Sequence, residues 1–334
     1  MAGSELKPEE LMELAAIARR YYIEGKAKTE IADEFRISRF RVARLLDGAR
    51  EAGLVRIEIV LPACIDAELS DRLRLTLSLH HAIAVDTPDE PEESLRGRLG
   101  EVAAGLLAEI VEDGDILGIA WGRSLKAMTA ALKRLARCTV VQLTGAVGNI
   151  HVSEDSVEMV RRVATLAGGP SFPIYAPLVV DTADAATALR RQPHVAEAMQ
   201  RFDRLTKAVV AIGSLDPPNS QLYDALDNAT RTALRQQGAR AEVCAILVND
   251  DGKTIAPDVL ERTIAIAPEK LRRIPEVIAV AGGRSKVAAI RAVLSAGFLT
   301  SLVTDAATAR TLVEQPVHLG ARGVPRSRRP RKAG

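Results

Sequence analysis

The chain has 334 residues, enough for more than one domain, and its formal net charge is only +2. A charge this small means that any contact with a nucleic acid must come from locally clustered cations. Three scattered cysteines exclude a disulfide framework and a paired-cysteine zinc site. No opening stretch resembles a signal peptide, and no apolar run approaches the ~20 residues that cross a bilayer, so we expect a cytoplasmic protein without membrane contact.

Residues 26–53 carry the most specific pattern, a short helix, a tight turn and a second helix. Ile31, Ala32 and Phe35 place one apolar stripe on the first helix, and Thr29 is expected to cap it. Residues 11–22 predict a further amphipathic helix before this pair. The alternating residues 54–60 after it predict a strand suited to a wing.

The second helix of the pair is expected to begin at Ser38, its N-cap. Its inward residues are predicted to be Val42, Leu45, Leu46 and Ala49, which leave Arg39, Phe40, Arg41 and Arg44 on the opposite face. A helix that opens with polar and cationic side chains, braced by another helix, can enter the DNA major groove. We interpret Ser38, Arg39, Phe40, Arg41 and Arg44 as DNA-binding residues; the alternative is a three-helix fragment whose arginines only keep it soluble.

The larger part of the chain alternates short β-rich runs with amphipathic helical segments, which favours a mainly parallel sheet covered on both faces. The predicted strands are residues 81–85, 115–120, 139–143, 207–212, 242–248, 277–281 and 299–304. The predicted helices are residues 92–112, 125–135, 153–167, 286–296 and 306–313. Such sheets bind ligands in the loops that follow the carboxyl ends of their strands.

Three of these loops are rich in glycine: residues 118–125, 142–148 and 281–286. In the first, Gly122 allows close backbone approach, the following helix start attracts an anion, and Arg123 adds a charge-assisted contact. The third places Lys286 at the start of a helix. Each loop alone could be merely a tight turn, but two such turns with cations in one sheet indicate a phosphate or phosphosugar pocket.

Catalytic patterns are weak by comparison. The sequence contains no GxSxG elbow, no HExxH and no GxxxxGK[ST] loop. Its histidines have no metal spacing except the adjacent pair His80 and His81, which we interpret as structural or exposed. We therefore expect no catalytic site, no metal and no cofactor. Asp305 ends a predicted strand and begins a predicted helix, so it is either a helix cap or a further ligand contact.

The whole arrangement resembles the SorC family of bacterial sugar-responsive transcription regulators. The matching motifs are Ser38-Arg39, Val42-Ala43-Arg44-Leu45-Leu46, Ala49 to Ile57, Gly118 to Leu125, Val140 to Leu143, Tyr175 to Leu178, Ala211 to Leu215, Val280 to Lys286 and Leu302 to Asp305. The resemblance covers about residues 10–315. It implies an α/β protein with an N-terminal winged helix-turn-helix, followed by a Rossmann-like three-layer α/β/α effector-binding domain related to sugar-phosphate isomerases and CoA-transferases.

The resemblance also implies partners and site residues. Gly122, Arg123, Ser124 and Leu125 would hold the phosphate of a sugar or polyol effector together with Lys286. Thr144, Gly145 and Gly213 would line the sugar. Operator DNA and further copies of the chain, as a dimer or homotetramer, would be the other partners.

Three positions depart from the family pattern. Many relatives have glycine at Arg36 and proline at Phe40, so Arg36 has to adopt the turn conformation at a modest cost. Phe40 could contact a thymine methyl instead. Arg240 is expected to alter the wall of the pocket.

These patterns predict a domain organisation and a function. Residues 1–62 form the DNA-binding domain, 63–316 the effector-binding and oligomerisation domain, and 317–334 a basic disordered tail that either strengthens DNA binding or only solvates the chain. The predicted function is DNA-binding transcriptional regulation controlled by a sugar, polyol or sugar phosphate. The alternative is a sugar-phosphate isomerase-like enzyme with a DNA-binding appendage.

Overall fold

The chain divides into two units, residues 1–61 and 62–334, each with its own hydrophobic core. The computed structural model describes residues 8–55, 64–87, 91–147 and 156–315. The predicted wing extends past residue 55, and the basic tail begins after residue 315, so both lie outside the described residues.

Within residues 8–55, the N-terminal unit contains three helices: α1 (Pro8–Tyr22), α2 (Lys28–Phe35) and α3 (Arg39–Glu51). Its core consists of Leu14, Ile17, Ala18, Ile31, Ala32, Val42, Leu46 and Ala49. The apolar stripes of α2 and α3 therefore face inward as expected, with Leu45 only partly buried. The buried residues of α1 are Leu14, Ile17 and Ala18. Of the apolar face that the sequence predicts for this helix, Leu14 and Ala18 are thus buried, whereas Ala15 and Tyr22 are exposed.

The ends of α2 differ in part from the prediction. Thr29 lies inside the helix, and the start is instead capped by Glu30, whose Oε2 accepts the backbone N–H of Ala27 at 2.7 Å. After α2, Arg36 adopts φ 53° and ψ 43°, the left-handed conformation that the turn requires. Ile37 then packs against the core, so the turn is fixed by one apolar side chain.

The second unit is built on an eight-stranded sheet. Its strands are β1 (Ile65–Asp66), β2 (His81–Val85), β3 (Ile116–Ile119), β4 (Thr139–Gln142), β5 (Ser171–Phe172), β6 (Lys207–Val210), β11 (Glu276–Val280) and β12 (Ser301–Asp305). The order across the sheet is β1-β2-β12-β11-β6-β3-β4-β5. Only the β1–β2 pair is antiparallel.

A second, antiparallel sheet of four strands lies between β6 and β11 in the chain. It contains β7 (Gly213–Leu215), β8 (Pro218–Asn219), β9 (Ala239–Val243) and β10 (Ile246–Asn249). The single strand predicted over 242–248 is therefore wrong, because the chain reverses at Cys244 and Ala245. Both residues have positive φ, 51° and 63°, in a turn without the usual glycine or asparagine signal.

Helices cover the main sheet. Their bounds are α4 (Ala67–Thr76), α5 (Glu92–Ile110), α6 (Arg123–Ala131), α7 (Ser156–Ala167), α8 (Ala183–Arg190), α9 (Pro193–Gln200), α10 (Gln221–Ala225), α11 (Asn228–Gln236), α12 (Pro257–Glu261), α13 (Pro268–Arg273), α14 (Val287–Ser295) and α15 (Ala306–Glu314). Helix α6 packs against both α5 and α7, and α15 packs against both α4 and α14. Helices and sheet together make the expected three-layer α/β/α arrangement.

The direction in which the chain winds through the sheet reverses between β3 and β6. From β3 the chain proceeds to β4 and β5 at one edge, and from β6 it proceeds through β11 to β12 on the other side. Because β3 and β6 are neighbours, their following loops leave the sheet in opposite directions. A crevice at such a point is where open α/β sheets bind ligands.

Candidate functional site: an effector cavity and an exposed basic helix

An open cavity of about 590 Å³ lies at the carboxyl ends of β3 and β6. Six residues predicted from the sequence line it: Gly122, Arg123, Ser124, Thr144, Gly213 and Lys286. The topology thus brings together loops that are more than 150 residues apart in the chain. Three predicted residues, Leu125, Gly145 and Asp305, do not line it.

Two glycines allow the strand-to-loop segments to pass close to their neighbours. A Cβ on Gly122 would lie 2.5 Å from the Cβ of Ala211, which follows β6. A Cβ on Gly213 would lie 2.4 Å from Oε1 of Glu242 on β9. Real Cβ atoms do not approach other atoms this closely, so a side chain at either position would force its neighbours to shift.

The N-terminus of α6 lies at the cavity, beginning at Arg123 directly after Gly122. Gly122 offers no side chain to cap the helix. The first-turn N–H groups of a helix have no partner within the helix and carry a partial positive charge. Leu125 contributes to this turn through its backbone only, because its side chain is fully buried in the core.

Lys286 enters the cavity from the turn after β11. Its ammonium donates a hydrogen bond to the backbone oxygen of Ile212 at 2.8 Å. Burial, and then the nearby charge of Arg123, lower the pKa of Lys286 to about 8, while Glu242 acts in the opposite direction. The ammonium is therefore charged at neutral pH but close to losing its proton.

Asp305 caps α15 and also fixes the turn that precedes Lys286. Its carboxylate accepts the Thr308 N–H at 2.9 Å and the Gly283 N–H at 2.6 Å. The geometry of Asp305 therefore matches a helix cap, the first of the two roles that the sequence left open. Gly145 likewise lies against backbone, since a Cβ there would be 2.6 Å from the oxygen of Pro177.

Glu242 is a cavity residue that the sequence reading missed. It accepts hydrogen bonds from the Ser220 hydroxyl at 3.1 Å and from the Ala245 N–H at 3.3 Å. Burial raises the pKa of its carboxyl, although both hydrogen bonds and the charge of Lys286 oppose this. The sequence did contain one signal for Glu242, which is an acidic residue between two buried residues of a strand. With Lys286 in the same cavity, Glu242 forms the acid and base combination that the sequence did not reveal.

A polar network crosses the edge of the cavity. Arg123 donates to the side-chain oxygen of Asn219, whose amide donates to Glu92 at 3.4 Å, and Glu92 also accepts from Arg96. Burial, and then the charge of Arg96, lower the pKa of Arg123. Arg96 and Asn219 also line the cavity and were not predicted. Arg240, expected at the pocket wall, does not line it and pairs with Asp216 and Asp250 instead.

Two buried polar atoms at the cavity have no hydrogen-bond partner among the described residues, Nε1 of Trp121 and the hydroxyl of Thr144. An unpaired buried donor costs roughly 1–3 kcal/mol. A bound molecule carrying several oxygen atoms would satisfy both atoms. The cavity thus combines cations, a helix N-terminus, a carboxylate and two unsatisfied polar groups.

In the N-terminal unit, all five predicted DNA-binding residues are exposed, namely Ser38, Arg39, Phe40, Arg41 and Arg44. The Ser38 hydroxyl caps α3 by accepting the Arg41 N–H at 3.2 Å. Phe40 is 70% exposed, and the Arg39 guanidinium lies 5.0 Å from the centre of its ring. Arg41 also forms an ion pair with Glu13 of α1 at 3.5 Å.

Within the described ranges, no group of three His, Cys, Asp or Glu residues could hold a metal ion. None of the helices there is both long enough and apolar enough to cross a membrane.

An N-terminal helical unit with an exposed basic helix, followed by a three-layer domain with a polar cavity, is the organisation that a ligand-sensing DNA-binding regulator requires. Residues 62–314 match the family model described as "Putative sugar-binding domain". The chain therefore belongs to this family, that of the SorC-type transcription regulators.

Curated relatives match over nearly the whole chain. The Deoxyribonucleoside regulator of Bacillus subtilis is 29% identical over 301 residues, 89% of this chain and 95% of the relative. The Sorbitol operon regulator of Klebsiella pneumoniae is 25% identical over 309 residues, 90% of this chain and 97% of the relative.

Solved structures match the fold. The full-length sorbitol operon regulator SorC from Klebsiella pneumoniae has a TM-score of 0.69 at 24% identity, covering 91% of this chain and 99% of that one. A domain of a possible sugar-binding transcriptional regulator from Arthrobacter aurescens TC1 has a TM-score of 0.67 at 27% identity, covering 76% and 100%. These structures confirm the predicted α/β fold class. The family match and the curated relatives confirm the predicted regulatory function.

Proposed function

We propose that this chain binds operator DNA through α3 and is controlled by a phosphorylated sugar or polyol held in the cavity at the β3–β6 switch point. The observation that carries the proposal is the convergence of Arg123, Lys286 and the N-terminus of α6 on one cavity. Cations and a helix N-terminus together are suited to a phosphate group. Trp121 and Thr144 add unsatisfied polar atoms suited to hydroxyl groups.

The N-terminal unit supports the DNA-binding part of the proposal. Helices α2 and α3 with the turn at Arg36 have the arrangement of a helix-turn-helix, in which the start of the second helix contacts base edges. In this scheme Ser38, Arg39 and Phe40 lie at the DNA, with Arg41 and Arg44 further along α3. Helix-turn-helix proteins commonly bind two DNA half-sites as dimers. We therefore propose a dimer or tetramer that acts in the cytoplasm.

The alternative, an isomerase-like enzyme, has one observation in its favour, the presence of Glu242 and Lys286 in the same cavity. The relatives, however, are named as regulators. We therefore propose that the cavity binds its ligand without turnover, and that Glu242 accepts a hydrogen bond from a hydroxyl group of the ligand.

The chain contains an internal reporter for testing the cavity. Trp121 is its only tryptophan and lies at the cavity wall, so a bound ligand should change its fluorescence. We would titrate the full chain with a panel of sugar and polyol phosphates and follow Trp121 emission together with thermal unfolding. A true ligand at 100 times its Kd should stabilise the folded state by about 2.7 kcal/mol.

The matched control for the cavity is a pair of lysine variants. Lys286→Ala should abolish the fluorescence response, whereas Lys253→Ala, whose side chain is 77% exposed and outside the cavity, should retain it. Equal responses in both variants would remove the cavity assignment. Conversion of any panel compound by the purified chain would favour the isomerase.

A further inference from the structure

The outward side of α1 carries an apolar surface that the proposed function does not use. Met12 is 72% exposed and Ile23, directly after the helix, is 78% exposed. The half-buried Ala16 lies on the same outward side, opposite the buried Leu14, Ile17 and Ala18. A helix of a small unit normally has polar residues on this side.

The charges of α1 indicate which molecule covers this surface. The helix has Glu9 and Glu10 in its first turn and Arg19 and Arg20 in its last turn. Arg20 already pairs with a glutamate of α2 at 2.6 Å, whereas Arg19 is 71% exposed and lies 3.7 Å from Glu24. Two copies of such a helix packed antiparallel bring the acidic start of each one to the basic end of the other. Antiparallel packing also opposes the two helix dipoles, which is favourable.

The register follows from the spacing along the helix. Met12 and Ala16 are each two residues from Leu14, and Glu9 and Arg19 are each five residues from it. A two-fold axis at the level of Leu14 therefore pairs Met12 with Ala16 of the second copy and Glu9 with Arg19 of the second copy. At 100° per residue these four side chains lie on one side of the helix, away from the core.

We propose that the face of α1 formed by Glu9, Met12, Ala16 and Arg19 is the contact between the N-terminal units of two copies of this chain. The large Met12 side chain packs into the space above the small Ala16, which allows helix axes to approach to about 8 Å. The contact is isologous, since each surface meets an identical one. Such pairing relates the two α3 helices by the same two-fold axis as a palindromic operator.

Cross-linking in the full chain tests the contact without DNA or effector. Two differently tagged copies, both with Cys64→Ser, are co-expressed, one with Met12→Cys and the other with Ala16→Cys. The remaining cysteines, Cys138 and Cys244, are buried. After purification through both tags and mild oxidation, we expect a covalent dimer at least about five times as abundant as in the control, in which Asp33→Cys on α2 replaces Ala16→Cys.

A second set of variants tests the charge pairing. Arg19→Glu in both copies should lower the cross-linking yield, and Glu9→Arg added to it should restore the yield. A yield no higher than the Asp33→Cys control would overturn the contact. Equally efficient cross-linking when both copies carry Met12→Cys would overturn the antiparallel register, and a chain that stays monomeric would overturn both.

Discussion

Lys286 illustrates how single residues set the chemistry of the cavity. Burial and the nearby charge of Arg123 disfavour the protonated form of its ammonium group, whereas Glu242 favours that form. An ammonium in this environment gains more from a bound anion than one in water, because the anion replaces charge stabilisation that the empty cavity lacks. The residue is therefore expected to link effector affinity to pH.

With a pKa of about 8 in the empty cavity, the ammonium is present below pH 8 and is lost above it. We predict that the affinity for a sugar phosphate is nearly constant between about pH 7 and 7.5, where the phosphate is already mostly dianionic. Above pH 8 it should fall by up to about tenfold per pH unit. Titrations of Trp121 fluorescence across this range measure it. The same fall in a Lys286→Arg variant would contradict the assignment, since arginine keeps its charge.

Arg36 shows the energetic cost of a non-glycine residue in a turn. Its φ of 53° lies in the region that disfavours a Cβ. We predict that Arg36→Gly stabilises the N-terminal unit by about 1 kcal/mol, measured by calorimetry of the full chain. Arg36→Ala keeps the Cβ and should give no such gain. An alanine variant as stable as the glycine variant would show that the backbone strain is not the cause.

At the scale of elements, the start of α3 determines the proposed DNA contact. Arg39 and Arg44 are exposed, whereas Arg41 is already engaged by Glu13 at 3.5 Å. Any phosphate or base that recruits Arg41 has to compete with this ion pair. The three arginines are therefore not equivalent.

We predict that Arg39→Ala and Arg44→Ala each weaken binding to an operator fragment by about 1–3 kcal/mol, and Arg41→Ala by less. Fluorescence anisotropy with a fragment selected from genomic DNA by the full chain measures this. Arg134→Ala, an exposed arginine of the second unit, makes the same charge change as a control. Equal affinities for all four variants would exclude α3 as the contacting helix.

The elements differ in how far the sequence predicted them. Parallel strands such as β11 are continuous apolar runs, which the sequence predicts clearly. The two loops after β3 and β11 that carry glycine and a cation both contribute residues to the cavity. The sequence did not predict the β9–β10 hairpin, because its turn at Cys244 and Ala245 uses non-glycine residues with positive φ.

Residues of the cavity contributed by other elements were missed for a related reason. Arg96 is one of several charged residues near the start of α5, and Asn219 lies in a two-residue strand. Neither position has a local signature, because its role arises only when α5 and β8 meet the loops after β3 and β6. The topology of the fold determines the roles of such residues, and local sequence patterns do not contain that information.

At the scale of the whole molecule, regulation requires a free-energy link between the cavity and α3. An effector changes operator affinity only if it binds one conformation of the assembly better than another. Typical links of 1–3 kcal/mol correspond to roughly 5- to 150-fold changes in affinity. By reciprocity, operator DNA must change the effector affinity by the same factor.

The most direct test is the affinity of the full chain for its selected operator fragment with and without the sugar phosphate that alters Trp121 fluorescence. We predict a change of at least about fivefold at saturating effector, in either direction, and its loss in Lys286→Ala. Operator affinity that stays the same while Trp121 reports a filled cavity would contradict control of DNA binding by this site.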